Sequence, residues 1–252
     1  MPGCERRSSA LPVLMAKRAA ALRFSNPTIL TPAWTGFRRT YGFVMSEIRH
    51  SAIEAVVFDI GRVLVQWDLR CLFSKLIADS AELDWFLANV VTEQWHFQHD
   101  QGRPLAEMVP ERIAEFPAYA RHIEAYATRF NESVPGPVPG SLELVDALHA
   151  ANMPLYAITN FGAEFWDQFR PAQPVFDCFR DIVVSGVEKI AKPDPAIFAL
   201  AQQRFGHAPG AMLFIDDNAD NIAAARALGW QVHHFDNAER LAADLRGRGL
   251  IG

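Results

Sequence analysis

The pattern of apolar positions predicts a set of short buried strands separated by helices. Apolar runs rich in β-branched residues are typical of parallel strands that are covered on both faces. The runs that predict strands are 55–58, 154–159, 181–185, 211–215 and 230–234. Since strands and helices alternate from residue 141 onward, we expect an α/β fold with a doubly wound parallel sheet and helices on both faces.

Helical spacing of apolar residues fills the intervals between these strands. The helices expected from it are 142–151, 161–169, 195–205, 219–228 and 238–246. Ser141 is the expected N-cap of the first of these helices, because its side chain can accept a backbone N–H. Gly206 is expected to end the third one, since glycine is the preferred residue just after a helix.

A long segment after the first strand has helical spacing and little strand signal. It covers residues 71–130 and predicts a small helical bundle inserted into the chain. The sequence VPGPVPG at 134–140 follows it, and its prolines predict a stiff extended connection. We therefore divide the chain into an α/β core, formed by 53–68 and 135–252, and a helical cap at 69–134.

Composition and charge limit the classes of function. With 252 residues, half of them apolar, the chain suits one large domain or a core with a smaller insertion. Residues 1–44 have a net charge of +6, whereas the remainder has a net charge of −11. The acidic body disfavours nucleic acid as a partner, and no apolar run is long enough to span a membrane. The pattern specifies no oligomeric state.

The basic N-terminal segment, 1–44, has two interpretations. Its arginines and scarcity of acids are typical of a targeting presequence. We favour instead a poorly ordered basic extension, with Met45 as the working start.

The three cysteines, Cys4, Cys71 and Cys178, are far apart and form no CxxC pair. This usage suits a reducing compartment, so we expect a cytoplasmic protein.

Polar residues that can carry chemistry stand at or just after the ends of predicted strands. They are Asp59, Thr159, Asn160, Lys192, Asp216 and Asp217. Because the carboxyl ends of parallel strands share one edge of a sheet, these side chains are expected to converge. They offer a carboxylate nucleophile, neutral donors, a fixed cation and oxygen ligands for Mg²⁺. Such a set suits attack by Asp59 on a phosphoryl group whose charge is neutralised by the metal and by Lys192.

Four stretches of the chain resemble the four motifs of the haloacid dehalogenase (HAD) superfamily. In order they are VVFDIGRVLV, YAITN, KIAKPDP and LFIDDNADNI, and the resemblance covers roughly residues 53–240. The chain is similar to the branch with sugar-1-phosphate phosphatases and the phosphatase domain of soluble epoxide hydrolases. The resemblance implies a Rossmann-like core with strand order 5-4-1-2-3 and a helical cap inserted after the first motif. It also implies a Mg²⁺-dependent hydrolase of small phosphorylated metabolites, including sugar phosphates, that forms an aspartyl-phosphate.

The resemblance also implies a role for each motif residue. Asp59 is the nucleophile, and the carbonyl group of Gly61 is a ligand of Mg²⁺. Thr159 and Asn160 bind the phosphoryl oxygens, and Lys192 pairs with those oxygens and with Asp59. The remaining residues are two metal ligands, Asp217 directly and Asp216 directly or through water, and two supporting residues, Asp220 and Asn221.

Gly61 marks a departure from the family pattern. Most phosphatases of this superfamily have a second Asp at that position, which acts as general acid and base. General acid catalysis is worth about 10²–10⁴-fold, so its loss is large. One hypothesis is a substrate with a good leaving group, such as an anomeric sugar oxygen. The other is an acid from the cap cluster WHFQHD at 95–100, where His96 and His99 are expected to contact the substrate.

Two alternative functions remain at this stage. Haloacid dehalogenases also lack the second Asp, attack carbon and use no metal. The acidic pair Asp216–Asp217 disfavours this alternative, because a metal-free site would hold uncompensated negative charge. A non-catalytic member that binds a phosphorylated ligand is the second alternative. Retention of Asp59 and Lys192 argues against it, since a binding module needs no nucleophile.

Overall fold

The sheet has the predicted parallel architecture. The computed structural model describes residues 52–252, so the basic extension predicted at 1–44 lies outside the described residues. The strands are β1 (Ala55–Phe58), β2 (Leu155–Thr159), β3 (Asp181–Val184), β4 (Met212–Asp216) and β5 (Gln231–His234). Neighbouring strands pair in parallel in the order β3-β2-β1-β4-β5, which confirms the expected order.

Helices occupy the intervals between the strands. The α-helices are α1 (Arg70–Phe73), α2 (Ser80–Asn89), α3 (Glu93–Asp100), α4 (Leu105–Glu115), α5 (Ala120–Arg129), α6 (Ser141–Ala150), α7 (Ala163–Phe169), α8 (Ser185–Glu188), α9 (Pro195–Phe205), α10 (Ala219–Ala227) and α11 (Ala238–Gly247). Short 3₁₀ turns lie at Pro117–Tyr119, Phe130–Ser133, Arg170–Ala172, Pro174–Cys178 and Pro209–Ala211. Among the described residues, no helix is both long and apolar enough to cross a membrane.

The two faces of the sheet contribute to separate apolar cores. Successive side chains of a strand point to opposite faces. In β1, Val56 and Phe58 join one core and Val57 joins the other. The Val57 core is completed by α9 and α10, and the Phe58 core by α6, α7 and α11. All four residues of β1 are fully buried, as a central strand of a doubly wound sheet requires.

The start of α6 differs from the prediction. The N-cap is Gly140, whose φ of 81° places it in the left-handed region, and Ser141 is the first helical residue. The Ser141 hydroxyl is buried and has no hydrogen-bond partner among the described residues. Ser141 was therefore wrong as the N-cap, because the chain turns into the helix one residue earlier. Gly206 does end α9 in the left-handed conformation, as expected.

Helices α1 to α5 lie between β1 and α6 in the chain. They pack against the Phe58 side of the sheet through aromatic contacts. The ring of Phe130, just after α5, stacks on Phe165 of α7 with centroids 3.9 Å apart. Tyr126 of α5 contacts the same Phe165 ring at 5.1 Å. This segment therefore shares one apolar core with the sheet, and its division as a separate cap stays a prediction.

Candidate active site

The carboxyl ends of three strands bring the central acidic residues together. Asp59 directly follows β1, and Asp216 is the last residue of β4. The two strands are in register, and the Asp59 N–H donates to the carbonyl of Ile215 at 2.8 Å. Thr159 ends the strand on the other side of β1. The edge of the sheet therefore holds Asp59 and Asp216 next to each other.

The ammonium group of Lys192 lies between two of these carboxylates. Its Nζ atom is 2.8 Å from Oδ1 of Asp59 and donates to Oδ2 of Asp216 at 2.7 Å. Only 1% of Lys192 is exposed. Burial lowers the pKa of Lys192, but the two carboxylates raise it by more, so the side chain remains charged. The geometry thus fixes a cation beside the predicted nucleophile.

Asn160 holds the backbone of Lys192 in place. Its Nδ2 donates to the Lys192 carbonyl at 2.9 Å, and its Oδ1 accepts from the Lys192 N–H at 2.8 Å. This pair of hydrogen bonds joins the end of β2 to the loop before α9. Asn160 also lines the cavity described below. Sequence reasoning expected a phosphoryl contact from this residue, and the structure adds a positioning role for Lys192.

Three carboxylates form a compact cluster. Asp59, Asp216 and Asp217 each place one oxygen atom within 4.8 Å of the other two. Burial raises the pKa of Asp59 to about 7, Lys192 opposes the rise, and Asp216 and Asp217 add to it. Burial and the charge of Asp216 likewise raise the pKa of Asp217. Three acidic groups around one ammonium leave an excess of negative charge, which fits a divalent cation with oxygen ligands.

Residues of α10 support this cluster. The side-chain amide of Asn221 donates to both oxygens of Asp216, at 3.1 and 3.0 Å. The Asn218 N–H donates to the same carboxylate at 2.8 Å. Asp220 is exposed and lines the cavity. Asn221 therefore orients Asp216. Among the described residues, Asp220 makes no hydrogen bond or ion pair with Lys192 or with the carboxylate cluster.

A cavity of about 250 Å³ opens above the cluster. Its polar side includes Asp59, Gly61, Lys192 and Asp217. Its aromatic lining, here called the aromatic wall, is formed by Trp67, Phe97, Phe130 and Phe161. The cavity therefore combines charged residues, here called its floor, with an aromatic wall, a combination common in sites for small ligands.

The loop after β1 contributes Gly61 and an unpredicted cation. Gly61 and Val65 form a single β-bridge outside the sheet. The Arg62 N–H donates to the Val65 carbonyl at 2.7 Å. The Arg62 guanidinium lies 4.7 Å from the centre of the Trp67 ring and pairs with Glu93 at 2.5 Å. Sequence reasoning missed Arg62, although a cation three residues after the predicted nucleophile was a usable signal.

Thr159 is placed at the site without lining the cavity. It is 1% exposed, and its hydroxyl group is buried with no hydrogen-bond partner in the described part of the chain. An unpartnered buried hydroxyl costs about 1–3 kcal/mol. Within the described residues the hydroxyl of Thr159 is therefore unsatisfied, and its contact with a phosphoryl oxygen stays a prediction.

The two histidines predicted as substrate contacts have different positions. His96 lines the cavity, stacks on Trp67, and has its Nδ1 atom 2.7 Å from the Tyr126 hydroxyl. Burial, and then the charges of His99 and Arg62, lower the pKa of His96 to about 3, so its imidazole is neutral at ordinary pH.

His99 does not line the cavity, which corrects the expected substrate contact. It is fully buried, and its Nδ1 atom donates to the Arg103 carbonyl at 2.8 Å. Its ring lies so close to Gly162 that a Cβ atom there would approach the ring to 1.9 Å. His99 thus packs α3 against the loop after β2. The spacing of the two histidines on one helix could not distinguish this packing role from a ligand contact.

The end of α3 is fixed to the edge of the sheet. The Ser185 hydroxyl donates to the carbonyl of Asp100 at 2.6 Å and accepts the Phe161 N–H at 3.0 Å. Asp100 is 5% exposed and lines the cavity. The sequence cluster at 95–100 contained this residue, but the substrate contacts were assigned to its histidines. The structure therefore adds a buried carboxyl group from α3 to the site.

Comparison with known proteins supports the same family. The model of the haloacid dehalogenase-like hydrolase family matches residues 53–229. A HAD family enzyme of Bacteroides thetaiotaomicron has a crystal structure with a TM-score of 0.62. It is 23% identical, and the match covers 77% of this chain and 99% of that one. A complex of that enzyme with magnesium and inorganic phosphate has a TM-score of 0.57 at 24% identity, and covers 73% and 95% of the two chains. At such identities the likeness concerns the fold.

Curated relatives cover different shares of the chain. The sesquiterpene phosphatase of Aspergillus oryzae is 22% identical over 202 residues, which are 80% of this chain and 98% of that protein. The mouse acyl-CoA dehydrogenase family member 10 is 26% identical over 91% of this chain, which spans only 23% of that protein. A phosphoglycolate phosphatase of Thiobacillus denitrificans is 30% identical over 45% of this chain and 52% of its own length. With the family model matching most of its length, the chain belongs to the haloacid dehalogenase-like hydrolases.

Proposed function

We propose that the protein is a Mg²⁺-dependent phosphatase that hydrolyses a small phosphate monoester through an aspartyl-phosphate at Asp59. The observation that carries the proposal is the position of Lys192 between Asp59 and Asp216, with Asp217 in the same cluster. A fixed cation beside a buried carboxylate nucleophile suits a phosphoryl group, because its charge is spread over several oxygens. Relatives named as phosphatases support the same reaction.

The residues divide the chemistry between them. Asp59 attacks phosphorus and the bond to the leaving oxygen breaks, so that the phosphoryl group is transferred to its carboxylate. Lys192 stabilises charge on the phosphoryl oxygens, and the Thr159 hydroxyl binds one of them. Asn160 keeps Lys192 aligned. The aromatic side chains of the cavity lower the polarity around the charged groups, which strengthens these electrostatic interactions.

The metal would be held by oxygen ligands. Asp59, Asp217 and the Gly61 carbonyl are the proposed direct ligands, and Asp216 binds directly or through water. The compact carboxylate cluster and its excess negative charge support this assignment. When bound, Mg²⁺ supplies charge neutralisation for the transferring phosphoryl group.

The cavity suggests the size and character of the substrate. Its volume of about 250 Å³ suits a small metabolite, and the aromatic wall can cover an apolar or ring-shaped leaving group. Arg62 at the rim offers a positive charge for a second anionic group of the substrate. A sugar phosphate remains the class suggested by the sequence resemblance.

Phosphate release from p-nitrophenyl phosphate and a panel of small phosphorylated metabolites, with and without Mg²⁺, tests the proposal. We expect turnover that depends on Mg²⁺. Halide release from 2-chloropropionate without the metal, in the absence of phosphatase turnover, would instead show a dehalogenase. No turnover of any ester, together with binding of phosphorylated ligands, would show the non-catalytic alternative.

Metal addition is expected to stabilise the protein. A ligand that binds only the native state stabilises it by about 2.7 kcal/mol at a concentration 100 times its Kd. Mg²⁺ should therefore raise the Tm in thermal unfolding, and Asp217→Asn should abolish most of the increase. Na⁺ at matched ionic strength controls for screening. An equal increase in Tm for the wild type and Asp217→Asn would place the metal elsewhere.

Thr159→Val is expected to separate activity from stability. The change removes an unpartnered buried hydroxyl and keeps the branched shape, so the Tm should be unchanged or higher. Loss of one hydrogen bond to a phosphoryl oxygen should lower kcat/KM by about 10–10²-fold. Steady-state kinetics and thermal unfolding of the same preparation measure both effects. Unchanged kinetics would remove Thr159 from the proposed binding set.

A further inference from the structure

The proposed reaction needs a proton for the leaving oxygen, and Gly61 has no side chain to give one. Several ionisable groups of the cavity wall are unsuited to that task. Glu93 is an exposed carboxylate paired with Arg62, and a guanidinium group does not release its proton. His96 is already neutral above a pH of about 3, because burial lowers its pKa. None of these three side chains holds an acidic proton inside the cavity.

The groups on the floor of the cavity are also committed elsewhere. Asp59 is the proposed nucleophile and must be ionised to attack. Lys192 donates to two carboxylates, whose charges raise its pKa, so it retains its proton. Asp217 belongs to the carboxylate cluster, and Asp220 is exposed. The remaining ionisable side chain of the described cavity wall is that of Asp100.

Asp100 has the surroundings of a protonated carboxylic acid. Its Oδ1 atom is buried without a hydrogen-bond partner among the described residues, and its Oδ2 atom is 3.4 Å from Nε2 of His96. Burial raises the pKa of Asp100 well above its ordinary value, and the negative charge of Asp59 adds to the rise. The Gly162 N–H and Lys192 oppose it with smaller effects. A carboxyl group in such a site remains neutral and can donate.

The backbone of Asp100 is anchored where a donor would be needed. The Ser185 hydroxyl donates to the Asp100 carbonyl, and the ring of His99, the preceding residue, packs on Gly162. These contacts fix the last turn of α3 at the carboxyl edge of the sheet. Asp100 and Asp59 line the same cavity. His96, which is 3.4 Å from the carboxyl group, forms a neutral pair with Tyr126, since burial raises the pKa of Tyr126 as well.

We propose that Asp100 is the general acid and base of this site, a catalytic residue supplied by α3 in place of a side chain at position 61. The inference rests on the proposed phosphatase function. In the first half-reaction an Asp59 oxygen bonds to phosphorus, the ester P–O bond breaks, and the Asp100 proton passes to the leaving oxygen. In the second, water attacks phosphorus while the Asp100 carboxylate takes a proton from it. The acyl-phosphate bond then breaks, which releases inorganic phosphate and restores both aspartates.

The test is Asp100→Asn, which keeps the shape of the neutral acid but has no transferable proton. For the wild type, kcat/KM should depend weakly on the leaving-group pKa across aryl and alkyl phosphates. In Asp100→Asn it should fall by about 10²–10⁴-fold for alkyl phosphates and by less than about 10-fold for p-nitrophenyl phosphate. If Asp100 had a purely structural role, Asp100→Asn would lower kcat/KM by a similar factor for all substrates. Thermal unfolding of both proteins monitors folding.

Asp84→Asn is the matched control, because Asp84 is an exposed carboxylate on α2 that pairs with Arg70 outside the cavity. It should keep the wild-type leaving-group dependence. If Asp100→Asn also keeps that dependence in a folded protein with active wild type, Asp100 is not the acid, although the phosphatase function stands. If Asp59→Asn turns over phosphate esters as fast as the wild type does, the phosphatase proposal itself is rejected.

Discussion

Asp59→Asn is expected to abolish phosphatase turnover, lowering kcat for p-nitrophenyl phosphate by at least about 10⁴-fold. An amide cannot form the acyl-phosphate, and the neighbouring Lys192 cannot replace it because an ammonium group has no free electron pair. The remaining rate would come from binding and electrostatic stabilisation alone. Phosphate release measured at saturating substrate and Mg²⁺ gives the effect directly.

The same variant should remain folded. Since Lys192 still pairs with Asp216, the Tm is expected to stay within a few degrees of the wild-type value. Asp236→Asn changes an exposed carboxylate beside Arg240 and serves as the matched control, with full activity expected. Acid quenching after rapid mixing with labelled substrate should trap phosphate on the wild type and none on Asp59→Asn. A labelled Asp59→Asn protein would assign the covalent intermediate to another residue.

Lys192→Met is expected to have the largest effect on stability, about 3–5 kcal/mol in the free energy of unfolding. Breaking a buried ion pair by removal of one partner leaves the other charge without compensation. Here the single ammonium compensates two buried carboxylates, Asp59 and Asp216, so both would lose their partner. Urea unfolding followed by fluorescence and circular dichroism measures the change, provided that both signals give one transition.

Lys75→Met gives the comparison for an exposed pair. Lys75 contacts Glu132 at 2.8 Å with half of its side chain in solvent, so the loss should be under about 1 kcal/mol. Combining Lys192→Met with Asp216→Asn should recover part of the lost stability, because the second change removes one uncompensated charge. Losses that simply add in the double variant would contradict the coupling that the 2.7 Å contact implies.

Much of the core followed from local chemistry along the chain. The strand 55–58 was predicted at its observed bounds, because a fully apolar β-branched run has few other stable environments. The helix 195–205 was also predicted at its observed bounds, since Pro195 and Gly206 mark its ends. Convergence of Asp59, Lys192 and Asp216 followed from the common direction of the strands.

The helical segment 71–130 shows what the pattern of apolar positions could not predict. Periodicity placed His96 and His99 on one helix, but the fate of each ring depends on what packs against it. Gly162 admits the His99 ring, and the Ser185 hydroxyl binds the end of the helix from 85 residues away in sequence. Such contacts are set by tertiary packing. For the same reason the sequence could not show that Asp100 is buried, since the residues beside it are polar.

The contacts of α3 hold its part of the cavity lining in place. An outward movement of this helix would break the hydrogen bond from the Ser185 hydroxyl to the Asp100 carbonyl. It would also separate the His99 ring from Gly162. Arg62 and Glu93, by contrast, line the cavity as an ion pair, with 45% and 66% of their side chains accessible to solvent. We therefore expect rotation of these two exposed side chains, and no movement of the helix, to widen the cavity while Asp100 stays in place.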